Sequence, residues 1–208
     1  MARRGLDISH WAYDARGLPI GWLEIKRLGY EFIYLKASDG FDISHANYNY
    51  GKIDPFFIYE WEHVLSLFKA GAYHFWRTTL KWDYQFSIFD AAMFKPPTLP
   101  SLLDLEEKTF VAGLKLWDVI HEWLKAEEAK RGLKPAIYTG RGWLNWAVAN
   151  YGPVPLWMAE HLLYLADYNP TPKPIIPLPW KQYWIRQVNE GFHVPGIPGG
   201  VSLDLMEG

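Results

Sequence analysis

Short apolar, β-branched or aromatic runs alternate along this chain with longer segments of helical period. The short runs predict strands at Gly5–Ser9, Glu31–Ala37, Gly71–Trp76, Ser101–Leu105, Pro135–Thr139, Pro155–Ala159, Tyr183–Val188 and Val201–Leu205. The longer segments predict helices near Ile20–Leu28, Pro55–Lys69, Trp82–Met93, Phe110–Lys130 and Arg141–Tyr151. The clearest is Phe110–Lys130, where Leu114, Trp117, Ile120 and Leu124 recur at three- and four-residue steps. Lys115, Glu122, Lys125, Glu127 and Glu128 take the other face, and Gly132 follows as a stop.

The order is β-α repeated about five times, then strands with little helix between them. That alternation predicts an α/β fold with a mostly parallel sheet and helices outside, and eight strands predict a TIM-like barrel with few helices in the last third. Pro170, Pro172, Pro174, Pro177 and Pro179 crowd one stretch, read as an ordered connecting loop because a strand pattern resumes at Tyr183. A length of 208 residues with half of them hydrophobic suits one domain over 1–208.

Composition removes several classes of function. The formal net charge is −2, from 21 basic and 23 acidic residues, and no block of like charge points to nucleic acid. No run approaches the roughly 18 apolar residues of a membrane span. Cysteine is absent, so disulfides and thiolate catalysis are excluded. The first residues, Met-Ala-Arg-Arg-Gly-Leu-Asp, have no apolar run behind them and do not read as a secretory signal. The expectation is a monomer without cofactor or metal, made in the cytoplasm. His10, His45, His63, His74, His121, His161 and His193 are scattered without a zinc-type pair. No nucleophile elbow, phosphate-binding loop or dinucleotide turn is present. The 12 Trp, 13 Tyr and 11 Phe serve equally well as core rings or as a sugar-binding groove.

Acidic residues gather at the predicted C-terminal strand ends: Asp7, Asp39, Asp104 with Glu106, Glu160, and Asp204 on the last strand. In a parallel barrel those ends open on one face, which carries the active site. Asp104 and Glu106 are two residues apart, so on a strand they share a side at roughly 6.6 Å spacing. Adjacent carboxylates raise the proton affinity of one of them. A glycosidase needs that pairing of one protonated and one ionised acid. Glu106 and Glu107 could equally be favourable charges at the start of the next helix. His74 reads as a hydrogen-bonded strand histidine.

These runs together resemble the family 25 glycoside hydrolases, the Chalaropsis-type lysozymes. Gly5-Leu6-Asp7-Ile8-Ser9 looks like the family's opening strand, and Tyr34-Leu35-Lys36-Ala37-Ser38-Asp39-Gly40 like its second. Ala70-Gly71-Ala72-Tyr73-His74-Phe75 is similar to its Gly-x-Tyr-His-Phe strand, and Leu103-Asp104-Leu105-Glu106 sits where its Asp-x-Glu pair falls. Ile137-Tyr138-Thr139, Leu156-Trp157-Met158-Ala159 and Val194-Pro195-Gly196-Ile197 resemble later segments.

The resemblance implies a flattened eight-stranded β/α barrel and cleavage of peptidoglycan between N-acetylmuramic acid and N-acetylglucosamine. It implies Glu106 as proton donor, Asp104 steadying the substrate's acetamido group and Asp7 holding the charge pattern, with Lys36, Tyr73, Tyr138 and Trp157 as substrate contacts. A phage endolysin, released to the wall at lysis, fits the lack of a signal. Two departures stand out. Asp39 occupies a place where the family more often has Glu. The last strand reads Val201-Ser202-Leu203-Asp204 where the family usually has Val-Asp-x-Asn, and the period of two lets Asp204 keep the same face. The alternatives are another barrel glycosidase acting on N-acetylated glycans such as chitin, and a glycan-binding relative without catalysis.

Overall fold

The computed structural model describes residues 2–13, 19–40, 53–171 and 173–207; His45 and Pro172 lie outside them. The strands β1 (Arg3–Ile8), β2 (Phe32–Asp39), β3 (Lys69–Phe75), β4 (Leu102–Leu105), β5 (Ala136–Gly140), β6 (Leu163–Ala166), β7 (Ile185–Phe192) and β8 (Val201–Met206) close into a barrel in sequence order. The helices α1 (Trp22–Arg27), α2 (Phe57–Leu67), α3 (Trp82–Ala92), α4 (Leu116–Arg131) and α5 (Arg141–Tyr151) follow β1 to β5. Among the described residues no helix is long and apolar enough to cross a membrane.

Strand alternation divides the side chains. Leu6, Ile33, Leu35, Leu103 and Ile137 point outward and are buried under the helices. Phe32, Tyr34, Leu102, Tyr138, Tyr164 and Met206 form a separate cluster inside the barrel. Large rings fit there because glycine faces them. A Cβ on Gly5 would lie 2.2 Å from the Phe32 ring, and one on Gly71 would lie 2.1 Å from the Tyr34 ring. The packed floor leaves most of the inward polar side chains at the upper end of the barrel, with Asp204 buried below them.

His74 points outward and is fully buried, with Ser38 Oγ at 2.9 Å and Gln85 Oε1 at 3.1 Å. Burial holds its imidazole neutral, lowering its pKa to about 4. It is the hydrogen-bonded strand histidine expected. Helix α4 begins later than the periodicity suggests, because Gly113 turns the chain with a φ of 75°. It ends at Gly132, whose left-handed conformation lets its N–H reach the Glu128 carbonyl. Glu127, expected on the polar face, is buried and ion-paired to Arg131 at 2.7 Å.

Three local readings need correction. Pro155–Ala159 is not a strand: Leu156–Glu160 is a 3-10 helix, and the sixth strand is Leu163–Ala166. In the misread run Leu156 is 83% exposed and only Met158 is buried, whereas all but the last residue of Leu163–Ala166 are buried. Glu160 therefore precedes its strand, and it pairs with Lys134 away from the mouth. The last strand is also reversed: β8 is antiparallel to both β7 and β1. Only residues 193–200 connect it to β7, too few for the crossover of a dozen or more residues that a parallel return needs.

No α-helix covers the β6–β7 connection among the described residues. Arg186 on β7 does part of that work. Its guanidinium donates to the carbonyls of Asp167, Asn169 and Thr171 at 3.2, 2.5 and 2.9 Å and lies 3.2 Å from the Asp167 carboxylate. One cation thus holds the loop that carries Tyr168.

Candidate active site

The upper ends of β1 to β5 bring Asp7, Lys36, Tyr73, Asp104, Glu106 and Tyr138 around one cavity of about 290 Å³. Inward parity explains each position: Asp7 lies two residues above Gly5, Lys36 above Tyr34, Tyr73 above Gly71, and Asp104 above Leu102. Trp11, Phe75, Tyr168, Gln187, Glu190 and Ser202 also line this mouth. Asp104 is 6% exposed, whereas Glu106 stands exposed at the rim.

Gln187 organises the β7 side. Its amide N–H donates to Asp7 Oδ2, and its amide oxygen accepts from Tyr138 at 2.8 Å and Tyr168 at 2.5 Å. Burial raises the Tyr138 phenol well above its usual range, so it remains a donor. Two phenolic donors fix the amide oxygen on their side and turn the NH₂ towards Asp7. On the β2 side, Lys36 Nζ lies 2.8 Å from Asp39 Oδ2, and Arg77 binds the two Asp39 oxygens at 2.7 and 3.1 Å. Burial pushes the Asp39 carboxyl up, but Lys36 and then Arg77 outweigh it and hold the pKa below normal. The shorter arm of Asp39 therefore reaches two cations.

The central acids are crowded and poorly hydrated. Burial first, then the charge of Glu106, raises Asp104 well above the usual carboxylate range. The protein atoms beneath Glu106 raise it by desolvation, and Asp7 adds repulsion. Burial lifts Asp7 to about 6, against hydrogen bonds from Gln187 and Ser202. Such carboxyls titrate as a group, retaining protons at pH values where an ordinary aspartate has lost its own. Oδ1 of Asp104 is buried and has no hydrogen-bond partner among the described residues. A buried acceptor left unpaired is unfavourable, and the cavity beside it is where a ligand N–H could approach. Among the described residues no group of three His, Asp or Glu side chains could hold a metal ion.

Two expected site residues do not line the mouth. Asp204 is fully buried and pairs in register with Gly5, whereas Ser202 pairs with Asp7 and lines the cavity. On a parallel strand the later residue would lie nearer the mouth; reversal of β8 places it one layer below. Burial first, then the charge of Asp7, raises its pKa well above the usual carboxylate range, and it lies beneath Asp7. Trp157 belongs to the 3-10 helix before β6, outside the barrel, where its ring stacks on His121 at 4.2 Å.

The family model of glycosyl hydrolases family 25 matches residues 6–197. The chain belongs to this family. The Escherichia coli protein YegX is 25% identical over 98% of this chain and 69% of its own length. Lysozyme M1 of Streptomyces globisporus is 24% identical, with 99% and 68% covered. The crystal structure of a bacterial lysozyme from Streptomyces coelicolor superposes with a TM-score of 0.81, covering 100% of this chain and 93% of that one at 24% identity. The eight-stranded barrel with five helices is the fold of glycosyl hydrolase family 25.

Within this family 25 barrel, sequence reasoning missed Trp11, Tyr168, Gln187 and Glu190. Gln187 was the most accessible of them, being a polar residue two positions after Ile185 and so on the inner face of a strand. Trp11, 66% exposed, follows the β1 end through Ser9 and His10. Its turn is fixed by His10 Nδ1 against Asp54 at 2.8 Å and by the Gly199 N–H on the Ala12 carbonyl at 2.7 Å.

The Asp7 shift carries a stability prediction. The folded chain binds a proton there up to about pH 6, whereas an unshifted Asp loses its proton near 3.8. The unfolded state loses that proton first, so the contribution of Asp7 to stability is full below about pH 4 and is lost as pH rises through 6. Asp7→Asn should raise stability at pH 7 by about 1–3 kcal/mol and have little effect at pH 4. Urea unfolding midpoints at the two pH values check this; an equal effect at both contradicts it.

Proposed function

We propose that this family 25 hydrolase is a muramidase, cleaving the β-1,4 bond between N-acetylmuramic acid and N-acetylglucosamine in peptidoglycan with help from the substrate's own acetamido group. The observation that carries the reading is the unpartnered, buried Oδ1 of Asp104 beside Glu106. An acetamido N–H donated to that oxygen satisfies it. The same bond favours ionised Asp104, which leaves the shared proton with Glu106. Glu106, exposed at the rim, then protonates the glycosidic oxygen while the acetamido oxygen attacks the anomeric carbon and the leaving sugar departs. Water adds to the resulting cyclic oxazolinium ion, giving its proton to the Glu106 carboxylate and restoring the acid.

Spacing supports this route over a two-carboxylate one. Direct inversion uses acids roughly 6.5–9.5 Å apart on opposite faces of the ring, and a protein nucleophile sits about 5–5.5 Å from the acid across the scissile bond. Asp104 and Glu106 leave the same strand end on the same side, where they can serve neighbouring atoms but not flank a ring. Asp7 is held by Gln187 at the next wall and keeps the cluster's charge high. Similarity to proteins named lysozyme and muramidase supports the same substrate. The alternative of a non-catalytic glycan binder draws on Ser202, which puts a hydroxyl at the mouth where the family more often has a carboxylate.

The test is digestion of purified cell walls. Wild type should release reducing ends of muramic acid; reducing glucosamine would favour a different glycosidase, and no release would favour the binder. Glu106→Gln keeps the shape and removes the transferable proton, so the rate should fall about 10²–10⁴-fold. A folded variant with near wild-type rate contradicts the assignment. The route through the acetamido group requires retention: NMR of the first product should show the β-anomer, and an α-anomer would reject it.

A further inference from the structure

Beyond Glu106 the mouth continues into a second cavity of about 690 Å³, which shares Glu106, Tyr138, Tyr168 and Glu190 with the first. Two cations line it beside the acids Asp167 and Glu190. Lys108 comes from the segment after β4, and Arg141 opens α5. Lys108 reaches the start of α5: a Cβ built on Gly142 would lie 3.6 Å from its Nζ. Bare glycine at 140 and 142 leaves the wall between them open. The cations at the mouth and under the loop are neutralised, Lys36 and Arg77 by Asp39, and Arg186 by Asp167. Lys108 and Arg141 have no carboxylate partner among the described residues. Glu190 lines the same cavity from β7, and Asp167, held by Arg186, from the segment after β6.

We propose that Lys108 and Arg141 form a subsite for a carboxylate carried by a substituent of the glycan, next to the bond being cleaved. The inference rests on the muramidase reading and sharpens it, because it separates a carboxylated N-acetyl glycan from neutral chitin. A guanidinium and an ammonium on one wall suit a carboxylate, which the fork of Arg141 can bind through two oxygens. The cavity begins at Glu106, so a substituent on a sugar at the scissile bond enters it directly. Two groups of the wall polymer have this chemistry: the lactyl acid of muramic acid when it bears no peptide, and the acids of a peptide stem.

Binding decides the matter independently of turnover. Calorimetry with Glu106→Gln protein would compare three probes: a soluble muramic acid–glucosamine fragment with free lactyl acid, the same fragment bearing its peptide, and chitotetraose. Adding Lys108→Ala and Arg141→Ala should weaken binding of a carboxylated fragment roughly three- to tenfold at low salt. Binding of chitotetraose, and of the fragments after amidation of their acids, should not change. High salt should erase the difference. A loss with the bare fragment assigns the lactyl acid, and a loss confined to the peptide-bearing one assigns the stem. Lys108→Arg with Arg141 intact should restore most of the affinity. Equal affinity with and without the two cations, or an equal loss for chitotetraose, overturns the proposal. If the carboxylate dependence holds while wild type releases no reducing ends from walls, the subsite stands and the hydrolase reading falls.

Discussion

Three carboxyl groups, Asp7, Asp104 and Glu106, occupy one small cavity at the end of a packed barrel. Their desolvation by the surrounding protein, with charge repulsion added, is the constraint that the structure accommodates. Lys36 supplies positive charge at the wall but is itself held by Asp39, which Arg77 also binds. Gln187 donates to Asp7, and Asp204, whose pKa burial raises, lies beneath it. Repulsion is relieved chiefly by retaining protons, and retained protons are what general acid catalysis requires.

The barrel interior makes that crowding possible. Phe32, Tyr34 and Tyr164 fill the lower layers, with glycine opposite the first two, so little space remains below the acids. The strand ends then deliver polar inward residues at the mouth: Asp7, Lys36, Tyr73, Asp104 with Glu106, Tyr138 and Gln187. The exception is β8, whose reversal exchanges the levels of Ser202 and Asp204. A hydroxyl reaches the mouth and a carboxyl is buried. The charge above remains shaped by Glu190 from the neighbouring strand, which raises both Asp7 and Glu106.

Much of this was legible in the chain. The run Ser101–Leu105 differs from β4 by one residue, and Arg141–Tyr151 matches α5, because alternation and helical period there reflect burial on one face. Asp104 and Glu106 share a side for the same reason. Strand direction was not legible: alternation reads the same both ways, and the short connection after β7 was the available clue. Pro155–Ala159 misled because an apolar run can also wrap a corner as a 3-10 helix, and this took Trp157 out of the site. Gln187 and Tyr168 carry no motif. Their roles arise from contacts between β1, β5, β7 and the loop that Arg186 holds, which are distant in sequence.

The central claim is that the acetamido group of the substrate moves a proton from Asp104 to Glu106. Carbon-13 NMR of the side-chain carboxyls, followed by pH titration, observes this directly. With a slowly cleaved N-acetylated oligosaccharide bound, the Asp104 carbon should report the ionised form and the Glu106 carbon the protonated form at neutral pH. The de-N-acetylated oligosaccharide should leave both as in the free protein. Identical titrations with the two ligands, or a proton that stays on Asp104 in the N-acetylated complex, would contradict the account.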